Sequence, residues 1–186
     1  MSEQHTLTWA IEDIVTAHPN LYLEHCVAMA VALMSQQTAS PCEFAVECAG
    51  FNLPTFGAEP RFLLRVSWTE QTALKAGRIR QTEQPKSIVE RAAVALAALL
   101  FAKLIPDGQM QVTRTGEGAD YWLPRLQRAL EVSGTEQRRE LARRQREKAA
   151  QVLRNPLQWD GYVIVCCFAT RARLIRWAYY RHGGKR

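Results

Sequence analysis

The eleven residues from Ala92 to Ala102 carry no charge, lie between Arg91 and Lys103, and are apolar on every side of a helix. Such a helix has no face to offer water, so other elements must enclose it. It is also too short to cross a bilayer, which takes about 20 apolar residues. The run therefore marks the centre of a folded core. Ser87 can cap this helix, with Glu90 three residues on in the capping-box arrangement, and the helix is expected to run to about Leu104. A chain of 186 residues can supply one large domain, or one domain with an appendage. With 47% hydrophobic and 23% charged residues, disorder and collagen-like structure are excluded.

Periodicity places the remaining elements around that helix. Leu7–Ala17 reads as a short helix, and Pro19 opens a second one running to about Gln37. Two strand-like runs, Glu43–Ala49 and Arg61–Trp68, are separated by the loop Gly50–Pro60 and suit a hairpin. Residues 70–85 are polar, with Gly77 and Pro85 as breakers, and read as a connector. After the central helix and the turn Pro106-Asp107-Gly108 come strands at Met110–Arg114, Ala119–Leu123 and Arg128–Ser133. The first two are joined through Thr115–Gly118. Thr135 can cap a long helix over Glu136–Leu153, and an apolar strand, Tyr162–Phe168, follows it. From residue 87 the expected order is α-β-β-β-α-β. The class is α/β (α+β), in three parts: an N-terminal helix-plus-hairpin portion (1–85), a core (86–170) and a basic aromatic tail (171–186).

Charge is unevenly placed. Residues 1–110 hold 8 Lys/Arg against 11 Asp/Glu, whereas residues 111–186 hold 16 against 7. A basic second half points to a polyanionic partner, most often nucleic acid. The candidate contacts are Arg138, Arg139, Arg143 and Arg144 on the long helix, and Arg173, Arg176, Trp177 and Arg181 in the tail. Arginines meet phosphates, and aromatics stack on unpaired bases. The bland alternatives are a solvated helix laced by i,i+4 Glu–Arg pairs and a tail that packs against a protein. The N-terminal part is the candidate surface for a protein partner or a second copy. The five cysteines show no C-x-x-C spacing and the four histidines no H-x-x-x-H, so neither a zinc site nor a disulfide framework is expected. No basic segment leads into an apolar core at the N-terminus, so the expected compartment is the cytoplasm and no membrane association is expected.

Two carboxylates stand out. Alternation puts Glu131 and Ser133 on one face of the third strand, and Asp120 shares a face with Trp122 on the second. Eleven residues separate Asp120 from Glu131, which suits neighbouring positions on two antiparallel strands joined by a tight turn. Two anions held together in a partly buried place repel unless a proton or cation intervenes. Mg²⁺ (or Mn²⁺) with oxygen ligands is a natural solution, because it keeps waters for chemistry on a phosphoryl group.

This order of elements, with Gly118-Ala119-Asp120 on the second strand and Glu131-Val132-Ser133 on the third, resembles the PD-(D/E)XK nuclease superfamily, the restriction-endonuclease-like fold, over residues 87–168. The resemblance implies a metal held by Asp120 and Glu131 with the carbonyl of Val132, and Glu90 as an additional metal carboxylate. The family's lysine falls at Ser133, which carries no charge. Some members move that lysine to the next helix. Here Lys148 lies on the Leu141/Val152 line of that helix, with Gln151 three residues further on. Glu131, Ser133, Lys148 and Gln151 would then form a displaced site beside Asp120. The implied activity is hydrolysis of DNA or RNA. The alternative is a catalytically inactive subunit that binds nucleic acid or a protein.

Overall fold

The chain is described by a computed structural model covering residues 5–36, 38–113, 119–171 and 173–183. Along the first half lie β1 (Thr6–Ala10), α1 (Asp13–Ala17), α2 (Glu24–Met34), β2 (Cys42–Ala49), a small hairpin of β3 (Asn52–Leu53) and β4 (Gly57–Ala58), β5 (Arg61–Ser67) and α3 (Glu70–Thr82). The second half holds α4 (Pro85–Leu104), β6 (Gln111–Val112), β7 (Tyr121–Leu123), β8 (Arg128–Thr135), α5 (Leu141–Arg154), β9 (Gly161–Cys167) and β10 (Leu174–Tyr180). The fold is α/β. Among the described residues, five α-helices accompany one eight-stranded mixed sheet of order β1-β5-β2-β10-β9-β8-β7-β6.

Helix α4 is the enclosed helix that its sequence demands. From Ala95 to Phe101 every residue is fully buried. It packs on α2, and both helices are rich in alanine, with Ala28, Ala30 and Ala32 buried on α2. The helix starts at Pro85 with Gln84 as its cap, so Ser87 sits inside the first turn and Glu90 is released from the expected capping box. One face of the sheet, including Phe44, Leu64, Ile164, Ile175 and Trp177, packs into the same core as α4 and α2. The other face is covered by α5, whose Leu141, Ala149 and Val152 meet Val163, Val165 and Cys167 of β9 and Leu174 of β10. Gly161 lets α5 come near, because a Cβ there would stand 2.6 Å from the carbonyl oxygen of Ala129 and 3.0 Å from Val152.

Four expectations are corrected. Residues 6–10 form a strand, because Leu7 and Trp9 alternate with threonines and β1 pairs in parallel with β5. Residues 70–82 form α3, capped by the Thr69 side chain and packed on α2 through a narrow stripe around Ala76 and Ile79. The long helix begins at Leu141 and is preceded by a 3₁₀ turn at Arg138–Glu140. The basic aromatic tail is largely an interior strand: β10 pairs in parallel with β2 and antiparallel with β9. The hairpin expectation holds, with β2 and β5 antiparallel. The Thr115–Gly118 connection lies outside the described residues.

Candidate functional site

The site lies where two paired strands differ in length. β7 pairs with β8 from Leu123↔Arg128 to Tyr121↔Leu130, and then β8 continues alone. One further step along this register sets Asp120 across from Glu131. Beyond it, the backbone donors on that edge of β8 have no strand to meet, and buried donors need partners. Carboxylates take them instead. Val132 donates its N–H to Asp120 Oδ2 at 3.1 Å, and Gly134 donates to Glu90 Oε2 at 3.3 Å. In a strand the N–H and C=O of one residue point the same way, so the Val132 carbonyl lies on this edge too.

Helix α5 supplies the cations. Lys148 donates to Asp120 Oδ2 at 2.7 Å and to Glu131 Oε2 at 2.6 Å. One ammonium thus bridges both carboxylates, which can be no farther apart than those two bonds laid end to end. The side chain of Glu131 is 3% exposed and that of Asp120 is 40% exposed. Burial raises the Glu131 carboxyl, Asp120 raises it further, and Lys148 offsets only part, leaving it pushed up to about 7. Burial pulls Lys148 down, but the two carboxylates more than reverse this and hold it above its ordinary value. The result is one cation against two carboxyl groups that differ in their access to water.

One helical turn earlier, Arg144 donates to Ser133 Oγ at 3.1 Å and to Glu90 Oε1 at 3.3 Å, and its Nε lies 3.4 Å from Glu140 Oε2. Ser133, where the resemblance would place a lysine, is therefore touched by a guanidinium. Around these groups opens a cleft of about 530 Å³, whose walls include Lys86, Arg91, Asp120, Ser133, Lys148 and Gln151. Glu131 is buried behind Lys148, which lines the cleft.

The structure joins Asp120, Glu131 and Lys148 by hydrogen bonds, and Val132, Ser133 and Gln151 line the same cleft as Asp120 and Lys148. Glu90 lines the same cleft but is tied to Gly134 and Arg144. Among the described residues no three carboxylate, imidazole or thiol groups come close enough to hold one ion, so Glu90 forms no three-carboxylate cluster with Asp120 and Glu131. Two carboxylates and a carbonyl edge fit Mg²⁺, which binds through one or two carboxylates and retains waters. The Lys148 ammonium donates to both of these carboxylates.

The expected nucleic-acid residues are spread over α5, the turn before it, and β10 with its flanks. Arg138, Arg139 and Arg143 are exposed at the start of α5, with Arg143 paired to Glu140 and Glu147. Arg144 turns inward to the cleft. Arg176 pairs with Glu47 on β2, Arg173 precedes β10, and Arg181 is exposed beyond the end of β10. Trp177 is 0% exposed and packs against Phe51 and Phe101, so it offers no face to a base. Sequence reading missed Arg144 as a cleft residue, although its i,i+4 spacing from Lys148 puts both on one helix face. No helix among the described residues is long and apolar enough to span a membrane. No protein-family model, no curated protein and no solved structure matches the chain.

Proposed function

We propose that the chain is a metal-dependent nuclease of the PD-(D/E)XK type, hydrolysing phosphodiester bonds of DNA or RNA, with its lysine displaced from Ser133 to Lys148. One observation carries the reading: Lys148 reaches from the next helix to both Asp120 and Glu131. A merely structural lysine needs one carboxylate, whereas here a second is kept nearly dry beside the first. Mg²⁺ or Mn²⁺ held by Asp120 and Glu131, with the Val132 carbonyl, would supply an activated water and neutralise charge on the phosphate. Glu131, pushed up to about 7, must lose its proton to serve as an anionic ligand. Lys148, on its flexible stem in the cleft wall, can turn from the carboxylates to the phosphate oxygens. Arg144 lines the cleft one turn away as a second cation, fixed by Glu90 and Glu140.

The second reading is a subunit that binds without cutting. It is favoured by Ser133, which supplies no positive charge where the family's lysine falls. Cleavage assays with labelled single- and double-stranded DNA and RNA, in Mg²⁺ or Mn²⁺, decide between them. The nuclease reading expects cutting that is lost in Asp120→Asn and Glu131→Gln with folding retained. Lys148→Met is expected to lose cutting while still binding the metal. No cutting of any substrate, with Asp120→Asn harmless to function in cells, would give the case to the binding subunit.

A further inference from the structure

A second cleft, also about 530 Å³, opens at the other end of the β7–β8 hairpin and contains two tryptophans, an arginine and two glutamines. The rings of Trp122 and Trp159 stack with centroids 3.9 Å apart and planes 27° from parallel, and both residues are partly exposed. Trp159 is held firmly by its backbone. The buried Asn155, at the end of α5, accepts from Trp159 N at 3.0 Å and donates to its carbonyl at 2.8 Å. Gln127 (φ 51°) and Gln158 (φ 55°) flank Arg128 and Trp159 in the left-handed region. Glycine adopts that conformation freely and other residues only at a cost. Glutamine at both positions instead puts two exposed amides, each donor and acceptor, on the cleft wall. The nearest carboxylate to Arg128 is Asp160 at 3.9 Å, and that carboxylate already accepts from Tyr179 Oη at 2.7 Å and His182 N at 2.8 Å. Among the described residues Arg128 thus has no close carboxylate, although it donates to the Gln127 carbonyl at 2.9 Å and lies over the Tyr179 ring.

The two clefts share one strand face. Trp122 pairs with Ala129, two residues before Glu131, and Asp120 lies two residues before Trp122. Two residues along a strand span about 7 Å. A chain whose phosphate reaches Asp120 and Glu131 can therefore place a neighbouring base at the indoles. The outer face of an indole pair can stack on a flat base, a guanidinium without a close carboxylate binds phosphate, and amides bind base edges; a base within a duplex presents no free face to an indole.

We propose that Trp122, Trp159 and Arg128 form a binding site for an unpaired nucleotide, so that the preferred ligand is single-stranded nucleic acid or a frayed end. Its place beside a scissile phosphate rests on the nuclease reading, but the binding itself does not.

The test measures binding by fluorescence anisotropy of labelled oligothymidylate, oligouridylate and a blunt DNA duplex, using the full chain in EDTA at low salt. Trp122→Ala and Trp159→Ala should each weaken single-strand binding at least about fivefold and duplex binding less than about twofold. Trp122→Phe should retain most of it. The two oligonucleotides separate DNA from RNA preference. Should an alanine variant misfold by circular dichroism, quenching of indole emission by either single strand decides the matter: it should be present in wild type and reduced in the folded Trp122→Phe and Trp159→Phe variants. Absence of single-strand binding or quenching by wild type, unchanged affinity in folded alanine variants, or equal loss for duplex would overturn the proposal. Tryptophan-dependent binding without Mg²⁺ or Mn²⁺ cleavage would uphold this site and sink the nuclease reading. Cleavage indifferent to both tryptophans would do the reverse.

Discussion

Glu131 carries its carboxyl where the sheet leaves it almost no water, and the consequence is a stability that depends on pH. Its folded pKa of about 7 stands above the ordinary 4.5. Between these values the folded chain keeps a proton that the unfolded chain has released. This group therefore contributes stability that is fully present below about 4.5, falls as pH rises to about 7, and changes no further above it. The slope is at most about 1.4 kcal/mol per pH unit. Lys148 is held above its ordinary value by the same carboxylates, so it stays charged throughout this window. Lys148→Met removes the bridging cation and leaves Asp120 facing a buried Glu131. The expected loss is about 3 kcal/mol above pH 7 and clearly less near pH 5, where Glu131 accepts a proton instead. Glu131→Gln should flatten the wild-type profile. Thermal melts of the three chains across this range check both, and a Lys148→Met penalty independent of pH would refute the assigned coupling.

At the scale of elements, the site depends on how closely α4 approaches β8. Gly134 makes this possible: a Cβ there would run into the backbone of Val89, the fifth residue of α4. That approach brings Glu90 to the N–H of Gly134. Gly134→Ala should push the helix away and cost about 3 kcal/mol, as overpacking does against rigid backbone. Gly77, inside α3, has nothing within 4 Å of a Cβ, so Gly77→Ala should stabilise by about 0.5–1 kcal/mol through helix propensity. Denaturant midpoints of both variants test the contrast. The same two helices mark what sequence can reveal. α4 was legible because an all-apolar run permits no other outcome. α3 was hidden because it gives the core little beyond Thr72 and Ala76, so its periodicity is buried in polar residues. Asp120 and Glu131 could be paired from spacing alone, since a hairpin fixes register locally. The meetings of Arg144 with Ser133 and of Trp122 with Trp159 depend on where α5 and the loop after it come to rest, which no local pattern encodes.

At the scale of the molecule, β10 decides whether the chain folds as a whole. The first half contributes β1, β5 and β2 to the sheet, and the second contributes β9, β8, β7 and β6; β10 lies between these sets and pairs with both β2 and β9. Composition conceals this role. Arginines and aromatics are interleaved through residues 171–181 as they would be in a nucleic-acid-binding tail, but successive residues of a strand point to opposite faces. Arg176 goes to the face shared with Glu47, while Ile175 and Trp177 enter the core at 0% exposure. Trp177 there meets Phe51, Phe101 and Tyr162, which come from a loop, a helix and a neighbouring strand. A chain ended after Thr170 would lose this centre and uncover the long edges of β2 and β9, each a template for association with other chains. Such a truncation should abolish the cooperative thermal transition and drive the protein into aggregates, visible by circular dichroism and size-exclusion chromatography. A truncated chain that stayed monomeric and melted cooperatively, losing only nucleic-acid affinity, would instead make residues 171–186 the dispensable tail that their composition suggests.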